Sequence, residues 1–220
     1  MPLSYPSHSF TLVVNAGGQS RRMGQPKALL PVPPDGSPLL FQIFQRLEPL
    51  VECSVVVLNE TWIASQAGLP SSVTVIADRY PDTGALGGIA TGLQACSDWA
   101  MLVACDMPFL DPSLFAHLRT LASEQENGQD RWDAIVPYIG GYAEPFHAIY
   151  HRRCLPLIEL QLAKGERRAN SFYSEVRLRR VEEVELRLID PQLRSFVNVN
   201  TPEDWQQALH MFEQSVENVP

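Results

Sequence analysis

A glycine-rich stretch near the N-terminus combines flexible backbone with positive charge. Residues 16–27 read Ala-Gly-Gly-Gln-Ser-Arg-Arg-Met-Gly-Gln-Pro-Lys. Gly17 and Gly18 allow positive φ and let backbone N–H groups approach an anion closely. Arg22 can bind phosphate oxygens through two N–H groups, and Lys27 adds a point charge. The spacing fits neither a P-loop nor a G-x-G-x-x-G loop, so the stretch predicts another kind of phosphate-binding loop; a glycine-rich turn with solvated cations is the alternative.

Two carboxylates directly follow apolar runs. Asp106 comes after residues 100–105, and a strand-end carboxylate that faces a phosphate-binding loop is a candidate ligand for Mg²⁺, which takes one or two carboxylates plus substrate phosphates. Asp78 comes after residues 73–77 and precedes a loop that contains Gly-Ala-Leu-Gly-Gly at 84–88. That loop could admit a purine or a ribose close to the backbone. The alternatives are a turn-capping role for Asp106 and an ordinary strand-to-helix connection after Asp78.

The elements that must position these groups are short apolar runs that alternate with helical patterns. The runs that predict strands are residues 10–15, 54–58, 73–77, 100–105 and 134–138, and the helical patterns are 39–47 with Ser37 as cap, 86–96 and 111–124. The alternation predicts an α/β fold with a doubly wound, mostly parallel sheet in three α/β/α layers. Ligands of such sheets bind beyond the carboxyl ends of the strands, where the glycine-rich stretch begins.

The second half of the chain has a less regular pattern. It predicts a strand at 144–150, a helix at 152–162, a charged edge segment at 177–185, a strand at 196–200 and a helix capped by Thr201. Asn198 and Asn200 would face one side of that last strand, toward Asp106. Arg168 ends a Gly-Glu-Arg-Arg sequence and would offer a guanidinium at a helix start. The alternatives are a solvated Arg168 and asparagines that only cap the strand–helix junction.

Composition bounds the function classes. The 220 residues suit one domain over 1–220, with a nucleotide-binding half at about 10–110 and an acceptor-binding half at about 130–205. The net charge of −8 disfavours nucleic acid as a partner. No run approaches the ~20 apolar residues that cross a bilayer, and the N-terminus does not resemble a signal peptide, so no membrane and a cytoplasmic location are expected.

The cysteines and two histidines carry little functional signal. The spacing of Cys53, Cys96, Cys105 and Cys154 fits no zinc site or disulfide pattern, so buried free thiols are expected. His147 and His151 are four apart, which would pair them on a helix. The apolar alternation around them predicts a strand end instead, with packing or surface contacts rather than a metal.

The chain resembles the molybdenum cofactor guanylyltransferases from about residue 13 to residue 205. The residues that carry the resemblance are the glycine-rich stretch 16–27, Gly-Ala-Leu-Gly-Gly at 84–88, Cys-Asp-Met-Pro at 105–108, Gly-Glu-Arg-Arg at 165–168 and Val-Asn-Val-Asn-Thr-Pro-Glu-Asp at 197–204. The first and third of these motifs occur across a wide superfamily of sugar- and cofactor-nucleotidyltransferases. The last two are closer to the guanylyltransferases themselves. The resemblance implies a Rossmann-like fold, Mg²⁺ as cofactor, and GTP and molybdopterin as substrates.

The resemblance also implies roles for individual positions. The residues implied to bind the nucleotide are Asn15, Ala16, Gly17, Gly18, Lys27, Asn59, Asp78 and Asp106. Asp106 would also bind Mg²⁺, and Arg22, Lys27 and Asp106 would be catalytic. Arg168, Asn198 and Asn200 would contact the acceptor. Asn15 and Pro26 depart from the family, which usually has leucine and often aspartate there; the family asparagine after the second strand falls on Leu58 or Asn59, and the amide favours Asn59.

The implied reaction joins GMP from GTP to molybdopterin and releases pyrophosphate. Because the attacking phosphate is already an anion, alignment and charge neutralisation suffice for catalysis. Proteins that deliver molybdopterin or receive the product are further candidate partners. Two alternatives remain: a relative that uses CTP on molybdopterin or on a sugar or polyol phosphate, and a non-catalytic nucleotide-binding module.

Overall fold

A computed structural model describes residues 8–17 and 23–217 of the chain. The strands of this part are β1 (Phe10–Asn15), β2 (Pro31–Val32), β3 (Ser37–Pro38), β4 (Cys53–Val57), β5 (Val73–Ile76), β6 (Trp99–Ala104), β7 (Gln125–Glu126), β8 (Gln129–Asp130), β9 (Ala134–Ile139), β10 (Tyr142–Ala143), β11 (His147–His151) and β12 (Leu178–Glu182). The α-helices are α1 (Leu39–Leu47), α2 (Thr61–Gln66), α3 (Gly84–Ala95), α4 (Pro112–Ala122), α5 (Leu155–Ala163), α6 (Glu183–Leu186) and α7 (Pro202–Glu217).

One large sheet runs through the molecule in the order β10-β9-β11-β6-β1-β4-β5, and β12 pairs with β9. β1 lies between β4 and β6 and is parallel to both, and β5 continues the parallel set beyond β4. β11 runs antiparallel to β6 and to β9. The predicted α/β fold with a mostly parallel sheet is therefore confirmed, and the carboxyl ends of β1, β4, β5 and β6 meet at one edge.

The central strand shows why this sheet has helices on both faces. Leu12 and Val14 are fully buried and belong to a core that also contains residues of α1, α4 and α7. Val13 points the other way into a second core, which contains residues of α3 and α5. A strand that is apolar at consecutive positions can bury both faces only between two helical layers, which gives the predicted three-layer arrangement.

Two helix starts follow the local rules of capping. The Asp111 carboxylate accepts a hydrogen bond from Ser113 N at 2.8 Å at the start of α4. Thr201 and Asp204 cap each other at the start of α7: Asp204 N donates to Thr201 Oγ1 at 3.2 Å, and Thr201 N donates to the Asp204 carboxylate at 2.8 Å. The prediction of Ser37 as the cap of α1 was wrong, because Pro38 holds that position and Ser37 lies in β3.

Two further sequence predictions were wrong. Residues 197–200 form no strand; they are extended after a 3-10 turn at Arg194–Phe196 and make no ladder with a neighbouring strand. The Gly-Glu-Arg-Arg sequence stands after the end of α5 and not at a helix start. Gly165 there has a φ of 82°, the left-handed conformation with which helices commonly end.

The edge of the sheet opposite the carboxyl ends carries a dense set of ion pairs, here called the basal network. Its members are His8, Asp98, Asp130, Asp133, His151, Arg153 and Arg177. His151 Nε2 lies 2.8 Å from Asp98, and Arg177 Nη2 lies 2.8 Å from Asp133. Asp98 directly precedes β6, whereas Asp106 follows it, so this network and Asp106 lie at opposite ends of one strand.

Composition predicted buried free cysteines and no membrane-spanning segment. The four cysteines are free; Cys96, Cys105 and Cys154 are buried, which agrees with the expectation, but Cys53 is exposed. Burial raises the pKa of each of the three buried thiols to about 12, so they are unreactive at neutral pH. Within the described ranges, every helix is too short or too polar to cross a bilayer. The division of the chain into one domain with two halves stays a prediction.

Candidate active site

Lys27 and Asp106 meet at the carboxyl edge of the sheet. Lys27 opens a 3-10 turn, and its Nζ lies 3.3 Å from Asp106 Oδ2. The same Nζ donates to Asn200 Oδ1 at 2.7 Å. The side chains of Lys27 and Asp106 keep 18% and 25% of their exposure, so they are shielded from bulk water yet open to a ligand. The fold therefore brings together three site residues predicted from the sequence, Lys27, Asp106 and Asn200, which are far apart in the chain.

Asp106 has one carboxylate oxygen whose hydrogen-bonding capacity is unused. Oδ1 is buried and meets no donor among the residues that the structure describes. A buried acceptor without a donor costs about 1–3 kcal/mol, which a cation bound at this oxygen would offset. Within residues 8–17 and 23–217, no three histidine, cysteine or acidic side chains are grouped for a metal. One carboxylate plus substrate phosphates is the ligand set that Mg²⁺ prefers, so Asp106 fits Mg²⁺.

Asn200 reaches this group although it is not on a strand. Val199 N donates to the carbonyl oxygen of Asp106 at 2.8 Å, which fixes the extended segment beside the end of β6. Asn200 N donates to the Asp204 carboxylate at 2.8 Å, so the first turn of α7 also holds it. Asn198 differs: it is exposed, and its Nδ2 donates to Phe196 O at 3.4 Å. The two predicted acceptor contacts are thus not equivalent.

The first residues of the glycine-rich stretch continue the line of β1. Ala16 N donates to Val57 O at 3.0 Å, as in the parallel ladder, and Gly17 N donates to Asn15 Oδ1 at 3.3 Å. The Asn15 side chain therefore supports the point where the chain leaves the sheet. Gly18 and Arg22 lie outside the described residues.

A cavity of about 250 Å³ lies beside these groups. Its lining residues are Asn15, Ala16, Pro26, Lys27, Ala28, Ile63, Ala104, Cys105, Asp106 and Phe146. The wall is mostly apolar, and its charged groups are those of Lys27 and Asp106. A cavity with an apolar wall and a few convergent polar groups is typical of a small-molecule site.

Asn59 and Asp78 lie next to this cavity but do not line it. Asn59 Nδ2 donates to Gly17 O at 3.3 Å, and Asn59 Oδ1 accepts from Asp78 N at 3.4 Å. The amide therefore bridges the loops that follow β1 and β5. Asp78 Oδ1 accepts from Tyr80 N at 3.0 Å and from the Thr91 hydroxyl at 2.8 Å. Both side chains thus make contacts that order the loops.

Arg168 lies on the surface beyond α5. Its side chain keeps 77% of its exposure and pairs with Glu166 at 3.4 Å. It is not among the residues that line the cavity. The preceding residue contributes through its backbone: the Arg167 carbonyl accepts from Leu86 N at 3.4 Å near the start of α3.

Sequence reasoning missed Phe146 and the role of Gly88. Phe146 precedes β11 and lines the cavity, and its carbonyl accepts from Ala104 N at 3.1 Å. A Cβ on Gly88 would lie 2.4 Å from Asn15 Nδ2, so only glycine leaves room for that amide. The glycine pair at 87–88 was visible in the sequence, but the contact that requires it was not, because it joins two elements 73 positions apart.

A lysine–carboxylate pair at the carboxyl edge of a parallel sheet, beside a mostly apolar cavity, is typical of the ligand site of an α/β protein. The MobA-like NTP transferase domain family matches residues 12–182. A probable molybdenum cofactor guanylyltransferase of Pelotomaculum thermopropionicum is 34% identical over 206 residues, which are 93% of this chain and 94% of the relative. The molybdenum cofactor guanylyltransferase of Vibrio cholerae is 31% identical over 215 residues, 96% of this chain and 97% of the relative.

A solved structure agrees with these relatives. The crystal structure of molybdopterin-guanine dinucleotide biosynthesis protein A from Archaeoglobus fulgidus matches with a TM-score of 0.75 and 25% identity, over 93% of this chain and 99% of the other. The chain belongs to the MobA-like NTP transferases and, within them, to the molybdenum cofactor guanylyltransferase family. The resemblance carried by the sequence motifs is confirmed.

Proposed function

We propose that this protein is a Mg²⁺-dependent guanylyltransferase that transfers GMP from GTP to molybdopterin and forms molybdopterin guanine dinucleotide. The family membership supports the reaction class. The observation that carries the proposal is the Lys27–Asp106 pair, 3.3 Å apart beside a cavity at the carboxyl edge of the sheet. A non-catalytic binding module needs no such pair of opposite charges at its ligand.

The reaction is a displacement at the α-phosphorus of GTP. An oxygen of the terminal phosphate of molybdopterin forms the new bond to that phosphorus. The bond from the α-phosphorus to the oxygen that leads to the β-phosphate breaks, and pyrophosphate leaves with the electron pair. The nucleophile is an anion at neutral pH, so the protein needs no general base and acts through positioning and charge.

Lys27 offsets the negative charge that develops on the leaving pyrophosphate. Its bond to Asn200 Oδ1 at 2.7 Å and its contact with Asp106 aim the ammonium group before the substrate arrives. A charge held in place in this way costs no reorganisation during the reaction. In the proposal Arg22 adds a second positive charge to the same leaving group.

Asp106 would hold Mg²⁺ through the oxygen that has no donor in the described chain. The ion would supply charge neutralisation on the phosphate oxygens, which relieves repulsion between two anionic substrates. Asn15, Ala16, Gly17 and Gly18 line the nucleotide, and Asn59 and Asp78 order the loops around it.

The acceptor side is less closely defined by contacts. Arg168 and Asn198 remain proposed contacts of molybdopterin, and both are exposed enough to meet a ligand from solvent. In the proposal Asn200 links the acceptor side to the nucleotide side, because its Oδ1 accepts a hydrogen bond from Lys27. The proposal places the reaction in the cytoplasm and includes proteins that deliver molybdopterin or receive the product as partners.

Product mass tests the proposed function. The protein is incubated with Mg²⁺, molybdopterin and each of GTP, ATP, CTP and UTP, and a parallel series replaces molybdopterin with a sugar phosphate. Molybdopterin that gains the mass of GMP is the expected product. A CMP adduct, or transfer to the sugar phosphate alone, would assign the protein to another nucleotidyltransferase activity. Nucleotide binding with no adduct in any series would make it a binding module.

A further inference from the structure

The amide of Asn15 has a fixed orientation. Gly17 N donates to Asn15 Oδ1 at 3.3 Å, and a backbone N–H can be met only by the oxygen of the amide. The nitrogen Nδ2 must therefore point away from the glycine-rich stretch. No acceptor for Nδ2 exists among the described residues, and the residue lines the cavity. At this cavity, the amide nitrogen of Asn15 therefore has no acceptor within residues 8–17 and 23–217.

The Asn15 Nδ2 atom lies close to the backbone of α3 at Gly88 and to the ring edge of Phe146. A Cβ on Gly88 would lie 2.4 Å from Asn15 Nδ2 and 3.2 Å from the Phe146 ring edge. The missing side chain of α3 therefore creates the space in which the amide and the aromatic ring stand together. An uncharged amide donor beside an aromatic ring edge suits the polar edge of a planar heterocycle better than a charged phosphate.

The other polar groups of the cavity have different tasks. Lys27 and Asp106 are charged and suit the phosphates, and the buried thiol of Cys105 is only a weak hydrogen-bonding group. Asp78 does not line the cavity, and its Oδ1 is already bonded within its own loop. Among the described lining residues, Asn15 is the one uncharged amide side chain. Recognition of a base edge by a side chain in this cavity falls to Asn15.

We infer that Asn15 is the residue that selects the base, because its Nδ2 donates to a keto oxygen at position 6 of a purine. The inference rests on the proposed function and deepens it. Guanine presents an oxygen at that position, whereas adenine presents an amino group. An amino group would face the Asn15 donor with a second donor, and neither would be satisfied. A mismatch of this kind lowers affinity by about tenfold or more.

A ligand series measures this selection without any substitution. Dissociation constants are determined for two pairs of triphosphates that differ at the 6-substituent: GTP against the 2,6-diaminopurine riboside triphosphate, and inosine triphosphate against ATP. The 6-keto member of each pair should bind about tenfold or more tightly. Equal binding within both pairs overturns the inference.

Asn15→Asp assigns the preference to this side chain. The variant keeps an oxygen for Gly17 N and replaces the Nδ2 donor by a carboxylate oxygen, which accepts from a 6-amino group. The added charge weakens all triphosphates alike, so the ratio of 6-keto to 6-amino binding is the readout, and it should fall by about tenfold or more. Asn127→Asp makes the same chemical change in the turn between β7 and β8, away from the cavity, and should leave the ratio at the wild-type value.

A second variant tests the same contact in case Asn15→Asp does not fold. Gly88→Ala adds a methyl where Nδ2 stands and should lower the same ratio without a change of charge. A wild-type ratio in a folded variant of either kind removes Asn15 as the selecting residue. Binding needs no acceptor, so this result is separate from the proposed function, which fails if the wild-type protein binds GTP but transfers no GMP to molybdopterin.

Discussion

The two ends of β6 hold charged groups in opposite ways. In the basal network before the strand, Asp133 bonds to Arg177 at 2.8 Å and to Arg153 at 3.0 Å, so acid and base neutralise each other inside the protein. After the strand, Asp106 shares one oxygen with Lys27 and leaves the other without a donor in the described chain. Charges that are paired within the protein stabilise the fold. A buried carboxylate oxygen without a donor, in contrast, marks a candidate position for a bound ligand.

Replacement of Asp106 should have the largest effect on activity and almost none on stability. Asp106→Ala removes the proposed Mg²⁺ ligand, so the turnover of GMP transfer should fall by at least about 10³-fold. The variant loses a buried oxygen without a donor in the described chain and a partly exposed ion pair with Lys27, so the two effects oppose each other and the melting temperature should change little. Steady-state kinetics and thermal unfolding measure the two quantities. Near-normal turnover with an unchanged melting curve would show that the metal assignment is wrong.

Replacement of Lys27 should have the next largest effect. Lys27→Ala removes a positioned charge at the leaving pyrophosphate, and turnover should fall by about 10²-fold. Lys164→Ala is the matched control, because Lys164 is exposed at the end of α5 and lies away from the cavity. If both variants lose activity equally, the loss reflects net charge and not the position of Lys27.

The basal network should show the reverse behaviour. Asp133→Ala leaves Arg177 without its carboxylate partner and leaves Arg153 with Asp130, and the free energy of unfolding should fall by about 2 kcal/mol, a value reduced because both arginines are partly exposed. Turnover per folded molecule should stay at the wild-type level, since Asp133 precedes β9 at the far edge of the sheet. Urea unfolding and active-site-normalised kinetics test this. A drop in turnover without a loss of stability would contradict the prediction that Asp133 stabilises the fold and takes no part in the reaction.

His147, which pairs with Val103 near the carboxyl end of β6, adds a pH-dependent contribution to stability. It is buried in a stack between Phe115 at 4.4 Å and Phe196 at 4.3 Å, and no partner within the described chain meets its ring nitrogens. Burial lowers the pKa of His147 to about 3, against a smaller opposing effect of the Asp190 charge. The imidazole is therefore neutral in the folded protein at any working pH.

This lowered pKa makes the folded state less stable in acid. Below about pH 6.5 the unfolded chain binds a proton at His147 that the folded chain does not, so stability present at higher pH is lost as the pH falls. Between pH 7.5 and 5.5 the loss should be about 1 kcal/mol. His147→Phe should keep the aromatic stack and remove this part of the pH dependence. Urea unfolding at both pH values measures it; identical slopes in both proteins would contradict the lowered pKa.

Sequence reasoning succeeded where local chemistry decides the structure. The strand-end position of Asp106 and the cap of α7 by Thr201 and Asp204 follow from residue types at fixed short spacings. The alternation of apolar runs and helical patterns was sufficient for the fold class. Each of these features is complete within about ten residues, so no knowledge of distant contacts was needed.

It failed where a distant partner decides. Residues 197–200 alternate like a strand, but a strand needs an adjacent free edge, and this segment instead meets the Asp106 carbonyl through Val199 N alone. The fit of Asn15 against Gly88 is likewise a contact between elements that no spacing rule links. The Arg168 prediction failed for a local reason instead, because Gly165, three residues earlier, marks the end of α5.

The cap of α7 has a consequence for how this protein can be shortened or fused. The family match ends at residue 182, yet Asn200 and the Asp204 carboxylate that holds it lie later in the chain. A fragment cut at the last matched residue would keep every strand of the large sheet and lose the oxygen that Lys27 contacts at 2.7 Å. Such a fragment would also lose the α7 residues of the core that contains Leu12, so trimming to the matched range removes part of the fold as well as Asn200.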